Sequence, residues 1–180
     1  GYLRACNLGA ELARGEYLVL LNNDVQVTSG WLPPLVDALQ AERVGAAGPM
    51  VLFPDGRLQE AGARVLADCT SELTGVFEDP SQPRYGYARE VDYCSGVCLA
   101  LRTSRVRDLG GFSVRLAPAY CEDVDLCLRL RTSGFRVVYQ PASVIVHHLS
   151  VTARSLDEGF KTRCVVKNQQ QLAEAHQPLI

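Results

Sequence analysis

Residues 17–24 read YLVLLNND, and this stretch decides the fold because a short apolar run ends abruptly in three polar residues. Such a continuous apolar run suits a strand that is buried on both faces, as in parallel sheets. On its N-terminal side, apolar residues recur at helical spacing over 3–13. On its C-terminal side, Thr28 or Ser29 is expected to cap a helix over 31–41. A strand between two helices indicates an α/β fold.

The rest of the chain continues the alternation of strands and helices. Strands are predicted over 44–53, over 91–101 with a break at Ser95-Gly96, over 136–139 and over 144–146. Helices are predicted from Thr103 or Ser104 to the glycines at 110–111, over 124–130 with Leu126 and Leu130 facing inward, and over 155–175. Residues 68–88 are rich in turn formers and predict a surface loop.

Length and composition limit the function classes. The chain has 180 residues, is 47% hydrophobic and carries a formal charge of −2. One ordinary domain is therefore expected, and a nucleic-acid binder, which would be basic, is not. Seven cysteines, an odd number with no CxxC pair, favour free thiols and a reducing cytoplasm.

The first candidate site is Asn22-Asn23-Asp24, at the predicted end of the strand over 17–21. In open α/β sheets, ligands bind where strands end. A carboxylate there suits a hard divalent cation on a diphosphate. A plain turn explains the same residues, since Asn and Asp are common in turns.

The second candidate site is the acidic cluster Glu122-Asp123-Val124-Asp125. Acids at a helix start complement its dipole, which is the structural alternative. Carboxylates this close also raise one another's pKa, which suits a general base. An ion pair between Asp125 and Arg129, four residues on, would make Asp125 structural and leave Asp123 free.

The third candidate site is His147-His148, which closes the strand over 144–146. Strand alternation sends the two rings to opposite faces, so one of them can reach a metal ion. A lone histidine is more often structural, and His148 is expected to be so.

Several familiar sites are absent from the sequence. It contains no HExxH or Cys–His cluster for zinc, no GxxxxGK[ST] phosphate loop and no GxGxxG. It also lacks the GxSxG elbow of α/β-hydrolases. The remaining candidates are a carboxylate that could bind a cation on a phosphate, an acidic cluster and an imidazole. Together these groups suit metal-assisted group transfer.

Taken in order along nearly the whole chain, these motifs resemble the family 2 inverting glycosyltransferases, which have a GT-A fold. The resembling stretches lie at 5–9, 13–17, 20–24, 54–56, 59–62, 95–96, 110–112, 122–129, 140–141 and 147–148. Their order and spacing are most similar to rhamnosyltransferase-like bacterial members that build cell-surface polysaccharide. The resemblance implies a mixed sheet flanked by helices, as the C-terminal portion of a catalytic domain.

The resemblance also implies roles for individual residues. Asp24 resembles the last acid of the DxD-type motif, which binds a divalent metal (Mg or Mn) on the donor diphosphate, although Asn22 stands where many members have Asp. His147 lies where some members place a further metal ligand. Asp123 resembles the catalytic base, and substrate contacts are implied for Asn22, Asn23, Ser95, Gly96 and Glu122.

The implied partners are a nucleotide-sugar donor and a glycan or lipid-linked acceptor, with the protein in the cytoplasm or at the cytoplasmic face of the inner membrane. The first strands of the family, which hold the nucleoside, would precede Gly1. We therefore expect residues 1–180 to be a partial catalytic domain that is nearly inactive alone and self-associates through exposed strand edges.

Two other functions remain open from the residues. A non-catalytic carbohydrate-binding or scaffolding module would keep the fold and lose the chemistry. A metal-dependent nucleotidyltransferase would use similar carboxylates and a diphosphate.

Overall fold

The computed structural model of the chain describes residues 1–149 and 158–176. Within them the helices are α1 (Tyr2–Leu12), α2 (Leu32–Gln40), α3 (Thr103–Asp108), α4 (Glu122–Thr132) and α5 (Glu158–His176). The strands are β1 (Tyr17–Leu21), β2 (Val25–Val27), β3 (Val44–Leu52), β4 (Leu58–Glu60), β5 (Ala63–Val65), β6 (Ser71–Leu73), β7 (Arg89–Val91), β8 (Cys98–Arg102) and β9 (Arg136–His147). Short 3-10 turns span Pro83–Tyr85 and Val114–Leu116.

The central sheet has the strand order β1-β8-β3-β9-β2, with β4 paired to β3 and β7 paired to β9. The strands β3 and β9 run parallel, whereas β1, β2, β4, β7 and β8 pair antiparallel with their neighbours. β3 lies in the middle and is buried along almost its full length, as a strand covered on both faces should be. The α/β fold with a mixed sheet flanked by helices is confirmed.

The helices that frame the site form where the sequence predicts them. Pro33 and Pro34 occupy the first turn of α2, where their missing N–H groups cost nothing. In α4, Leu126 and Leu130 are buried against the sheet. Gly134 follows with a φ of 85°, which glycine adopts without strain and which ends the helix.

Both predicted helix caps are wrong. Trp31 and Arg102 precede α2 and α3, and neither makes a side-chain cap hydrogen bond. The Thr28 hydroxyl donates instead to the Val144 carbonyl at 2.7 Å, and the Thr103 hydroxyl donates to the Gly15 carbonyl at 2.7 Å. Both hydroxyl groups therefore donate to carbonyls that are distant in sequence and do not cap the helices.

The predicted strands need three corrections. The loop over 68–88 contains β6, which pairs with β5 in a small separate sheet. The strand over 91–101 is interrupted from 92 to 97, between β7 and β8. The two strands over 136–139 and 144–146 are one strand, β9, whose register against β3 shifts between Gln140 and Val144. Pro141, which has no N–H group for the ladder, lies in that shift. Residues 155–157 of the predicted polar helix lie outside the described residues.

One edge of the sheet is open. β1 pairs with β8, and no other strand in the described part of the chain pairs with its outer edge. Nearby in sequence, Leu8 and Leu12 of α1 are 57% and 71% exposed. Self-association through this edge stays a prediction. None of the described helices has the length and apolarity needed to cross a bilayer.

Candidate active site

All eight residues predicted for the site line one cleft of about 410 Å³. They are Asn22, Asn23, Asp24, Ser95, Gly96, Glu122, Asp123 and His147. They come from the end of β1, the loop before β8, the start of α4 and the end of β9. The structure therefore brings the distant motifs together, while their chemical roles stay predictions.

The short strand β2 joins Asp24 to His147. Val25 lies opposite His147 in the antiparallel pair of β2 and β9, and the His148 amide donates to the Asp24 carbonyl at 3.0 Å. The His147 Nε2 atom thereby lies 3.3 Å from Asp24 Oδ1. As strand alternation predicts, the neighbouring His148 is exposed whereas His147 is buried.

The His147 ring is held from its other side. Its Nδ1 atom lies 3.0 Å and 3.2 Å from the two amide atoms of Gln59 on β4. Such a partner fixes which ring nitrogen is protonated and how the ring is turned. Burial lowers the pKa of His147, and the nearby Asp24 charge only partly offsets this effect. A neutral imidazole is the form that binds metals.

Asp24 and His147 fit a divalent cation. Both carboxylate oxygens of Asp24 are buried, and among the described residues the 3.3 Å contact with His147 is their one close polar contact and is not counted as a hydrogen bond. A buried carboxylate normally has partners, so this side chain is suited to a ligand outside the chain. No group of three or more His, Cys, Asp or Glu able to hold a metal occurs among the described residues. A cation there would therefore take its further oxygen ligands from water or substrate.

Asp123 faces the cleft from the first turn of α4. Its Oδ2 accepts from the Gly96 amide at 2.8 Å, and its Oδ1 accepts from the Val124 amide at 2.9 Å. Burial raises the pKa of this carboxyl, and the two amides partly offset the rise. A half-buried carboxylate with a raised pKa and fixed orientation suits a general base.

Glu122 lies beside Asp123 and is 6% exposed. Burial, and then the charge of Asp123, raise the pKa of Glu122 to about 7. Its Oε2 atom is buried and has no hydrogen-bond partner in the described part of the chain. It is thus available for a substrate hydroxyl, which could donate to it.

Asp125 points away from the cleft, as the predicted ion pair requires. Its Oδ2 lies 2.8 Å from Arg129, and its Oδ1 lies 3.0 Å from Nε2 of His176 on α5. Arg129 also donates to the carbonyls of Leu109 and Gly111. The expected ion pair between Asp125 and Arg129 is confirmed. Asp125 therefore has a structural role.

We expect Asp125→Ala to lower the free energy of unfolding by about 3–5 kcal/mol, because it removes the carboxylate that the half-buried Arg129 and the buried His176 ring both contact. Asp108→Ala is the control, since the exposed pair of Asp108 with Arg105 should contribute less than about 1 kcal/mol. Urea unfolding measures both. Equal effects would contradict the structural role of Asp125.

The sequence did not indicate the aromatic wall of the cleft. Tyr2 on α1 and Tyr120 before α4 both line it. The Tyr2 hydroxyl donates to the Gly96 carbonyl at 2.6 Å, so it holds the turn whose amide binds Asp123. The helical spacing over 3–13 begins one residue after Tyr2, and the sequence carries no signal for this long-range bond.

The charge of the cleft restricts its ligands. Three carboxylates, those of Asp24, Glu122 and Asp123, line it, and none of its described lining residues is Lys or Arg. Among the described lining residues, the only charged side chains that a diphosphate would meet are negative, apart from the ring of His147 if it is protonated. Diphosphate binding therefore calls for a bound cation.

Residues 1–164 match the family described as glycosyltransferase like family 2. The chain is 36% identical over 157 residues to the O-antigen biosynthesis protein RfbC of Myxococcus xanthus, which covers 83% of this chain and 12% of that protein. It is 32% identical over 146 residues to the N-acetylglucosaminyl-diphospho-decaprenol L-rhamnosyltransferase of Mycobacterium tuberculosis. That match covers 74% of this chain and 47% of the rhamnosyltransferase.

Among solved structures, the chain is similar to GalNAc-T7 with UDP, GalNAc and Mn²⁺. The TM-score is 0.68 at 18% identity, and the match covers 84% of this chain and 30% of that one. At that identity, the likeness shows a shared fold. The chain spans less than half the length of each of these three proteins.

Proposed function

The chain belongs to the family described as glycosyltransferase like family 2, and we propose that its cleft transfers a sugar from a nucleotide sugar to an acceptor hydroxyl with inversion. The acceptor is a glycan or a lipid-linked sugar, as in the synthesis of cell-surface polysaccharide. The observation that carries the proposal is that Asp24, His147 and Asp123 line one cleft. This arrangement supplies a cation site and a base side by side.

In this proposal Asp123 acts as the general base. Its carboxylate takes the proton of the acceptor hydroxyl while that oxygen attacks the anomeric carbon. The bond from this carbon to the donor diphosphate breaks as the new bond forms, and the nucleoside diphosphate leaves with the bonding electrons. A single displacement of this kind inverts the anomeric carbon.

The other cleft residues bind and orient the substrates. A divalent cation, Mg²⁺ or Mn²⁺, held by Asp24 and His147 would supply positive charge to the diphosphate. We assign contacts with the sugar and the acceptor to Asn22, Asn23, Ser95, Gly96 and Glu122, which line the cleft beside the base. The seven free thiols support a reducing compartment, and we propose the cytoplasm or the cytoplasmic face of the membrane.

A donor panel tests the proposal. The chain, and the longest natural protein that contains it, are incubated with Mn²⁺, UDP-, GDP- and dTDP-linked sugars, and glycan or polyprenyl-diphosphate-linked acceptors. We expect the longer protein to release nucleoside diphosphate in a reaction that depends on the acceptor, and the chain alone to release little. NMR of the product should show an inverted anomeric centre. Transfer of a nucleotide would make the protein a nucleotidyltransferase. Glycan binding without any turnover would make it a non-catalytic module.

We expect Gln59→Ala to weaken Mn²⁺ binding about 10–100-fold, because His147 loses the group that orients its ring. Gln26→Ala is the matched control, since Gln26 contacts the exposed His148 at 3.4 Å in the same way. Mn²⁺ titration followed by electron paramagnetic resonance measures both variants. If both bind Mn²⁺ like the wild type, His147 does not hold the cation.

A further inference from the structure

The segment that leads into the two cleft carboxylates has an unfavourable backbone. Tyr120 and Cys121 have φ angles of 77° and 67°. This left-handed region disfavours residues that carry a Cβ atom, and strain of this kind persists only where surrounding structure holds it. Ala119 and Tyr120 line the cleft, and Glu122 and Asp123 follow directly. The conformation of residues 116–121, called the turn from here on, therefore sets where both carboxylates lie.

One side chain from a distant helix holds this turn. Asn168 of α5 is fully buried. Its Nδ2 atom lies 2.7 Å from the Leu116 carbonyl oxygen, 3.0 Å from that of Ala119 and 2.9 Å from that of Tyr120. The amide has two hydrogens, so three carbonyls share them around a single nitrogen atom. All three carbonyls belong to the turn. The Asn168 amide therefore binds the turn at three points from a separate helix.

The helix that carries Asn168 is itself fixed to the rest of the site. Leu172 is 1% exposed and packs in the core. His176 contacts Asp125 at 3.0 Å, and Asp125 belongs to α4, which begins at the two cleft carboxylates. α5 therefore contacts α4 through its last residue, His176, and the preceding turn through Asn168 in the middle of the helix. A helix held against α4 and in the core can fix the strained turn relative to the start of α4.

We propose that Asn168 is a positioning residue, which holds residues 116–121 so that Tyr120, Glu122 and Asp123 face the cleft. Its role in transfer rests on the proposed function, whereas its hold on the turn does not. Removing the amide should leave the core intact and free the turn to leave its left-handed conformation. The carboxylates would then occupy the reactive geometry in fewer molecules, which lowers kcat more than it changes the donor KM.

The test compares Asn168→Ala and Asn168→Asp with Leu172→Ala. Asn168→Asp keeps the shape but replaces the donors with acceptors that face three carbonyls. Leu172→Ala destabilises the same helix through the core and touches none of the three carbonyls. Hydrogen exchange of peptides that cover 114–123 is measured at conditions where all variants have equal global stability. We expect exchange in both Asn168 variants to rise about tenfold above that of Leu172→Ala, the factor that one lost hydrogen bond corresponds to.

Activity supplies the second measurement, made on the longest natural protein that contains the chain. We expect kcat per folded molecule to fall in both Asn168 variants and to remain near the wild-type value in Leu172→Ala. Equal exchange in all three variants, or equal kcat per folded molecule, would overturn the proposal. If the wild type transfers no sugar, the proposed function fails, and the exchange measurement alone decides whether Asn168 holds the turn.

Discussion

Asp123→Asn is expected to lower kcat by about 10²–10⁴-fold, the range that a general base contributes. The amide nitrogen of Asn cannot take a proton from the acceptor hydroxyl. Its remaining oxygen can accept from one of the two amides, Gly96 or Val124, that hold the carboxylate now. The variant should therefore fold and bind the donor with nearly unchanged KM. Steady-state kinetics with the donor found in the panel measures both parameters.

Glu122→Gln is the matched control for Asp123→Asn. It removes a neighbouring carboxylate of the same cleft without touching the proposed base. We expect it to retain most of kcat and to change the acceptor KM, because Glu122 is assigned to substrate binding. A kcat of Asp123→Asn within tenfold of the wild type would mean that Asp123 is not the base, and Glu122 would be the next candidate.

The pH dependence of kcat/KM gives the same assignment a second check. Only the ionised carboxylate accepts a proton, and burial raises the pKa of Asp123. Activity should therefore fall as the pH decreases through that raised pKa. Glu122, Tyr2, Tyr93 and Glu60 surround Asp123 and feel its charge. Burial raises the pKa of Glu122 and that of Glu60 to about 7, so an acidic limb that survives in both Glu122→Gln and Glu60→Gln belongs to Asp123.

Much of the sheet follows from local pattern, because long apolar runs report burial directly. The run over 17–21 is β1, and the run over 44–53 is β3 but for its last residue. Burial follows for β3, which is buried along almost its full length. It does not follow for β1: the predicted burial on both faces is wrong, because β1 is an edge strand, mostly half-buried, and Leu21 is 40% exposed. The end of β1 also predicts where ligands bind, since the polar residues that follow it line the cleft.

The contacts between motifs could not be predicted, because they depend on short pairings without their own pattern. β2 has three residues, two of which are exposed, yet its pairing with β9 places Asp24 beside His147. Tyr2 acts through one hydrogen bond to a distant carbonyl, and Asn168 acts through hydrogen bonds to three. A polar residue in a helix carries no sign of which carbonyl it will meet, so these residues appear only when the helices are packed.

Asp24→Ala is expected to weaken Mn²⁺ binding by at least about a hundredfold. This loss exceeds the one expected for Gln59→Ala, because Gln59 only orients His147 whereas Asp24 would bind the ion itself. Asp24 supplies the carboxylate of the proposed cation site, and neither of its oxygens has a hydrogen-bond donor among residues 1–149 and 158–176. His147 alone would hold the ion by one nitrogen atom. The measurement is a Mn²⁺ titration with and without UDP, a nucleoside diphosphate that carries no sugar to transfer.

The same substitution should also abolish diphosphate binding, because the described part of the cleft offers no Lys or Arg to replace the cation. None of its described lining residues is Lys or Arg, and Glu122 and Asp123 remain after the substitution. UDP should therefore bind the wild type only when Mn²⁺ is present and should not bind Asp24→Ala at all. Asp37→Ala, which removes an exposed carboxylate on α2, is the control for net charge and should bind as the wild type does. If UDP binds equally well without Mn²⁺, the diphosphate lies outside this cleft, and Asp24 needs another explanation for its unpartnered oxygens.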